Sequence, residues 1–199
     1  MISLHKRKKL YSNMLRNLIQ NSMDYNNSDA DCHDILRYKD YIKRQLISSS
    51  DVLYALHNAE LEKESDDITT VASKYLDNNI YDYLRVPDST DIGKSFILFD
   101  IAEVKNSDNN IAHITKGVTF RTLSHAEDIS TDFDVKRHDL LALLVSRMFD
   151  GLQVFGARWV KVSDKPAVIN NGYYYRELQF QIITSSSIVN KQRNGRVRI

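Results

Sequence analysis

Hydrophobic residues in the first part of this chain recur at helical spacing. Leu4, Tyr11, Leu15, Leu18 and Ile19 share one face of an amphipathic helix over residues 1–22, and a polar loop follows to His33. Ile35, Tyr38, Ile42 and Leu46 place a second helix over 34–46. Ser48-Ser49-Ser50-Asp51 supplies a break and a fresh cap, and Val52, Leu53 and Leu56 begin a shorter helix. Glu60, Glu62 and Glu64 mark an acidic linker, and Thr69–Leu76 reads as a short helix or turn. The aromatic stretch Ile80-Tyr81-Asp82-Tyr83-Leu84 runs into a turn around Pro87 to Asp91.

The pattern then becomes strand-like. Phe96 to Val104 is nearly continuously apolar at its start, as a strand buried on both faces would be. A polar turn, NSDNN, leads to a second strand over 111–123, in which Gly117 hints at a bulge. Helical spacing returns once, from Asp134 to Gly151. Leu140, Leu141, Leu144, Val145 and Met148 form its apolar stripe, Asp134 is placed to cap it, and Gly151 to end it. After an apolar connection through Val154-Phe155-Gly156, a brief strand is expected over 157–162 and a loop over 163–172, broken by Pro166. A well-alternating strand over 173–183 puts Leu178, Phe180 and Ile182 on one face. The fold class is therefore α+β: a mainly antiparallel sheet of two hairpins with a central helix packed on one face, preceded by N-terminal helices. We divide the chain into an N-terminal helical arm (1–50), a core domain (51–184) and a basic, flexible C-terminal tail (185–199).

Charge changes this picture more than composition does. The formal net charge is only +1. Residues 1–50 carry 9 Lys/Arg against 5 Asp/Glu, residues 51–134 carry 7 against 17, and residues 135–199 carry 11 against 4. Basic ends around an acidic middle suit head-to-tail association or an acidic partner. Lys6, Arg7, Lys8 and Lys9 crowd the first helix, where positive charge opposes the helix dipole. Arg193, Arg196 and Arg198 lie in the tail. A single cysteine, Cys32, excludes a disulfide framework within one chain and fits a reducing compartment. The sequence leads us to expect neither a signal peptide nor a transmembrane segment.

The sharpest enzymatic pattern is Pro87-Asp88 followed by Glu103-Val104-Lys105, the letters of a PD-(D/E)xK nuclease. There, two carboxylates hold Mg²⁺ and a lysine positions the hydroxide. The motif has few fixed letters, and Asp88 sits in a turn-like PDSTD segment where a nuclease needs strand. His125 and the pair His138-Asp139 offer acid–base chemistry, but no serine or cysteine stands beside them in a recognised elbow. A phosphate loop, a dinucleotide fingerprint and HExxH are all missing from the sequence. The eleven tyrosines are capable of stacking on bases, and their strand and helix positions are explained as well by packing.

Several segments are similar to those of phage neck proteins, the tail terminators or head–tail joining proteins of tailed phages of Gram-positive hosts. They are IYDYLRVPDST at 80–90, SFILFDIAEV at 95–104, GVTFRTLSHAEDIST at 117–131, VKRHDLLALLVSRMF at 135–149 and GYYYRELQF at 172–180. The resemblance implies a virion structural protein without catalytic residues or cofactors. It would assemble in the host cytoplasm as a ring homo-oligomer, a hexamer, that closes the tail tube and joins it to the head connector. The interface residues expected with it are Lys6–Lys9, Arg137, His138, Asp139, Arg176, and the tail residues Arg193, Arg196 and Arg198. In this reading Arg137, His138 and Asp139 orient the loop before the helix, and Arg176 pairs with an acidic loop of its own or the next subunit. The alternatives are the Mg²⁺-dependent nuclease on Asp88, Glu103 and Lys105, and a basic-armed nucleic-acid-binding module.

Overall fold

The computed structural model describes residues 33–65, 67–88, 91, 93–104, 113–169 and 172–185. The expected helix over 1–22, Cys32, Lys105 and the tail arginines lie outside these residues.

Helix α1 (His33–Ser48) follows the predicted periodicity, with Tyr38, Ile42 and Leu46 buried along one face. It falls in the stretch assigned to the arm, yet these three residues belong to the same hydrophobic cluster as the sheet. The serine run breaks the helix as expected. Ser49 accepts a hydrogen bond from the Val52 amide at 3.4 Å and caps α2 (Ser50–Leu56), whose Val52, Leu53 and Leu56 are buried. The acidic linker opens with one short helix, α3 (Ala59–Glu62), capped by Asn58. A 3-10 helix, η1, then spans Ile68–Tyr75.

The strands β1 (Ile80–Tyr81), β2 (Ser95–Val104), β3 (His113–His125), β4 (Gln153–Val154), β5 (Ala157–Ile169) and β6 (Tyr173–Ser185) form one curled sheet in the order β1-β2-β3-β6-β5-β4. β1 pairs parallel to β2, and every other pairing is antiparallel. Between β3 and β4 comes α4 (Arg137–Phe149). The helices cover one face of the sheet. Ile97, Phe99, Val118, Phe120, Leu178 and Phe180 meet Leu141, Val145 and Phe149 of α4 there. The other face carries a smaller cluster, Tyr81, Phe96, Leu98, Leu123 and Tyr173. β2 is thus buried on both faces, which is why its sequence does not alternate.

Several local expectations need correction. Asp134 does not cap α4: it takes a left-handed φ of 57°, and the N-cap residue is Lys136, with no side-chain cap. The Arg137 amide instead donates to Ile129 O at 2.8 Å. Gly117 makes no bulge and pairs in register with Ala102 and Gln181; the irregularity falls on β5, between Lys161 and Ser163. The expected loop at 163–172 is mostly strand, because β5 runs on to Ile169 with Pro166 opposite Arg176. Proline is tolerated there because, among the described residues, no strand pairs with that side of β5 past Lys161: Trp159 exchanges hydrogen bonds with Gly151 and Leu152, the Lys161 amide donates to Asp150 Oδ1 at 3.0 Å, and Pro166 lies on the open edge beyond them. Finally, Phe155-Gly156 is a two-residue hairpin turn with φ of 53° and 73°, as a type I′ turn requires. Its left-handed Phe155 sets its ring edge-on to Tyr38 and Tyr41 of α1, with centroids 5.2 and 5.6 Å away. Gly151 has a left-handed φ of 76° but stands one residue past the extended C-cap Asp150, and its amide donates to Trp159 O at 3.0 Å rather than back to α4.

Candidate functional site

Polar chemistry collects where α4 begins. Arg137 is buried, and its guanidinium ties three segments together. Nε donates to Asp128 O at 2.7 Å, Nη1 to Ala55 O at 3.1 Å and Nη2 to Ser130 O at 2.9 Å. Ala55 O is one of the last carbonyls of α2, which have no partner within their own helix and carry the negative end of its dipole. The Asp128 carboxylate lies 3.1 Å from Arg137 Nε and accepts from Ser95 Oγ at 3.0 Å. Its other oxygen sits 2.8 Å from His57 Nδ1. His57 ends α2 in a left-handed conformation, φ 50°, which aims its ring across the chain at Asp128.

His138, also buried, contacts Ser124 Oγ through Nδ1 at 3.1 Å and stacks on Tyr174 with ring centroids 6.1 Å apart. Burial pushes its pKa down, the Asp139 carboxylate opposes that shift, and Arg176 and Lys136 add to it. Ser124, His138 and Asp139 are the residue types of a hydrolase triad. Ser124 is fully buried, however, so its hydroxyl cannot meet a substrate. Its contact holds the imidazole, and Thr122 Oγ1 donates to His138 O at 2.8 Å. Arg176 bridges two carboxylates, Asp139 on α4 at 2.8 Å and Asp164 on β5. These hydrogen bonds hold its pKa above the ordinary arginine value. The helix entrance therefore joins Arg137, His138, Asp139 and Arg176 into one structural unit, pairing Arg176 within its own chain.

Beside this network lies an open groove of about 700 Å³ between α2, the outer flank of α4 and residues 130–133. Its apolar lining is Tyr54, Phe133, Leu140 and Leu144. Tyr54 is 57% exposed, Phe133 72% and Leu143, on the same flank of α4, 54%. Asp51, Glu62 and Asp132 supply its charge, and none of these three pairs its side chain with another among the described residues. Arg137 also lines it, with its charge already spent on Asp128. The volume falls in the range of small-molecule pockets, about 300–1,000 Å³. The lining is that of a docking surface: exposed aromatics and half-buried leucines rimmed by acids.

Among the described residues no cluster of three or more His, Cys, Asp or Glu is placed to hold a metal ion. Asp88 is exposed in the turn before β2, with its amide donating to Asp91 at 3.0 Å. Glu103 sits on β2 opposite Lys116 in the β3 register, and Lys105 lies outside the described residues. Among the described residues no helix is long and apolar enough to cross a membrane.

The sequence pointed to Arg137, His138, Asp139 and Arg176 but missed His57 and Asp128, which are 71 positions apart. The groove was missed as well. Its one signal was Leu143, an exposed leucine off the stripe expected for α4; Leu140 and Leu144, which line the groove, were read as part of that stripe and are partly buried against the core.

The search of curated proteins finds no match. Among solved structures, a chain from the virion of a native gene transfer agent particle is similar, at 14% identity and a TM-score of 0.37, over 71% of this chain and 98% of that one. The YomW family model matches residues 49–182, from the cap of α2 to the last core residue of β6, and the chain belongs to the YomW family.

Proposed function

We propose that this protein is a non-enzymatic structural component of a virion, a neck protein that forms a ring closing the tail tube and joining it to the head connector. The observation that carries the reading is the mismatch between the acidic, apolar groove on α2 and α4 and the chain's own basic ends. A ring is built from heterologous contacts, in which two different surfaces of one subunit meet its neighbours. Opposite charge on separate parts of one chain fixes the order and direction of such contacts. The segments similar to phage neck proteins support the same reading; they span β1 to β6 in the order found in the fold. The buried hydrogen-bonded entrance of α4 supports a rigid body more than a catalyst.

The test is the solution mass of the full chain by light scattering, followed by electron microscopy of any assembly. A discrete ring-sized oligomer with a central opening is the expected result. A monomer that stays monomeric at high concentration and does not bind isolated tail tubes overturns the reading.

A further inference from the structure

We infer that the groove between α2 and α4 receives the N-terminal arm, residues 1–22, of a second copy of this chain. The inference rests on the proposed assembly and names the contact that would build it. The groove presents Tyr54, Phe133, Leu140 and Leu144 inside and, at its rim, the acids Asp51, Glu62 and Asp132, which are unpaired among the described residues. Its occupant must therefore be basic and apolar on one face. Residues 1–22 meet both demands. They contain Lys6, Arg7, Lys8, Lys9 and Arg16 with no acid, and Tyr11, Leu15, Leu18 and Ile19 recur at the spacing with which an amphipathic helix fills an apolar groove. The tail also carries cations, on Lys191, Arg193, Arg196 and Arg198, but no helical apolar face to match the lining.

The geometry of α1 favours a neighbour's groove over the arm's own. The start of α1 lies at the β4–β5 turn, where Arg37 covers the Phe155 ring at 4.8 Å. Its other end leads through Ser49 into α2, one wall of the groove. A 16-residue helix puts about 24 Å between those ends. An arm bound in its own groove would have to double back over that distance on the ten residues 23–32, which reach about 35 Å at full stretch. An arm directed at the next subunit needs no reversal, and repeating the contact gives an open-ended or ring-closed series rather than a self-complementary dimer.

The experiment places a benzophenone photo-crosslinker at Tyr54 of the full chain, mixes normal and heavy-isotope copies after dissociation in high salt, and maps the adducts by mass spectrometry. Alongside it, light scattering follows a groove variant (Asp51→Lys, Glu62→Lys, Asp132→Lys), an arm variant (Lys6, Arg7, Lys8 and Lys9 all to Glu) and their combination. Adducts between residue 54 and residues 1–22 of a different copy are expected. Each single variant should lose them at least tenfold, and the combined charge swap should restore them. Adducts only within one copy overturn the inference. Ring-sized assemblies with no arm adduct overturn it while leaving the neck reading intact. Arm adducts confined to a closed dimer uphold the contact and sink the ring.

Discussion

The two ends of α4 are held by opposite means. At its exit, Phe149 stacks on Phe120 and Trp159, with centroids 5.1 and 5.4 Å away, and Phe180 meets Phe120 edge-on at 5.6 Å. Those rings derive their stability from area removed from water and need no particular partner atom. At its entrance, Arg137 makes three hydrogen bonds to backbone oxygens and one ion pair. That arrangement is directional: it contributes through fixed geometry and would be costly with any one partner removed. The aromatic end fixes where the helix sits on the sheet, and the polar end fixes which loops stand beside it. The groove opens beside the polar end, so the shape of the docking surface depends on hydrogen bonds more than on core packing.

The comparison breaks most severely at the aromatic end. Phe149→Ala should cost about 4 kcal/mol in chemical denaturation, by leaving a cavity among three rings. Arg137→Ala should cost about 3 kcal/mol, because it takes the guanidinium from Asp128, leaving that carboxylate to Ser95 and His57, and the donor from three carbonyls. Its distinguishing effect is local: hydrogen exchange should accelerate at 126–136 and at the end of α2 while β3 and β6 keep their protection. If exchange rises equally everywhere, the entrance has no separate structural role.

The pH dependence sharpens the same contrast. His138 has its pKa depressed in the folded chain, so the unfolded chain takes up its proton first as pH falls. Its contribution is whole above about pH 6.5 and is lost as pH drops below that toward the lowered folded value. Thermal stability should therefore decline on acidification through this window, and His138→Gln should flatten the decline. No such response is expected from the buried tyrosines. Tyr75, pushed up to about 12 chiefly by burial, stays neutral throughout. The smallest stability change belongs to the groove: Leu143→Ser should move stability by no more than about 0.5 kcal/mol in denaturation of the isolated chain. An oligomer that loosens with Leu143→Ser while the monomer keeps its stability would separate the docking face from the fold.

How far the sequence revealed this molecule depended on the range of the interaction. Helices α1 and α2, the inward stripe of α4 and the alternation of β6 were legible, because burial imposes its period on neighbouring positions. Pro166 misled, because a proline reads as a strand breaker unless the strand is known to be an edge. Asp134 misled because a capping residue type two positions before Lys136 looks correct until the backbone turns left-handed there. At the candidate site, Arg137, His138 and Asp139 stood out as charges leading into an apolar stripe. Their partners did not: Ala55 is 82 positions away and contributes only its carbonyl. No residue type announces that a backbone oxygen will be used.

The free side of β5 carries a further consequence. Beyond Lys161 the strand has no partner on that side among the described residues and offers a row of amides and carbonyls to any extended chain that passes. Yet Pro166 has no hydrogen to give, the register slips between Lys161 and Ser163, and Lys161 and Lys165 flank the stretch. An incoming strand would find a gap in the ladder, a twist and two like charges on every identical molecule it tried to join. These features oppose edge-to-edge zipping into fibrils along β5, where valines 160, 162 and 168 are exposed. Pro166→Val would remove one guard, and faster growth of thioflavin-positive aggregate would expose what a single missing hydrogen prevents.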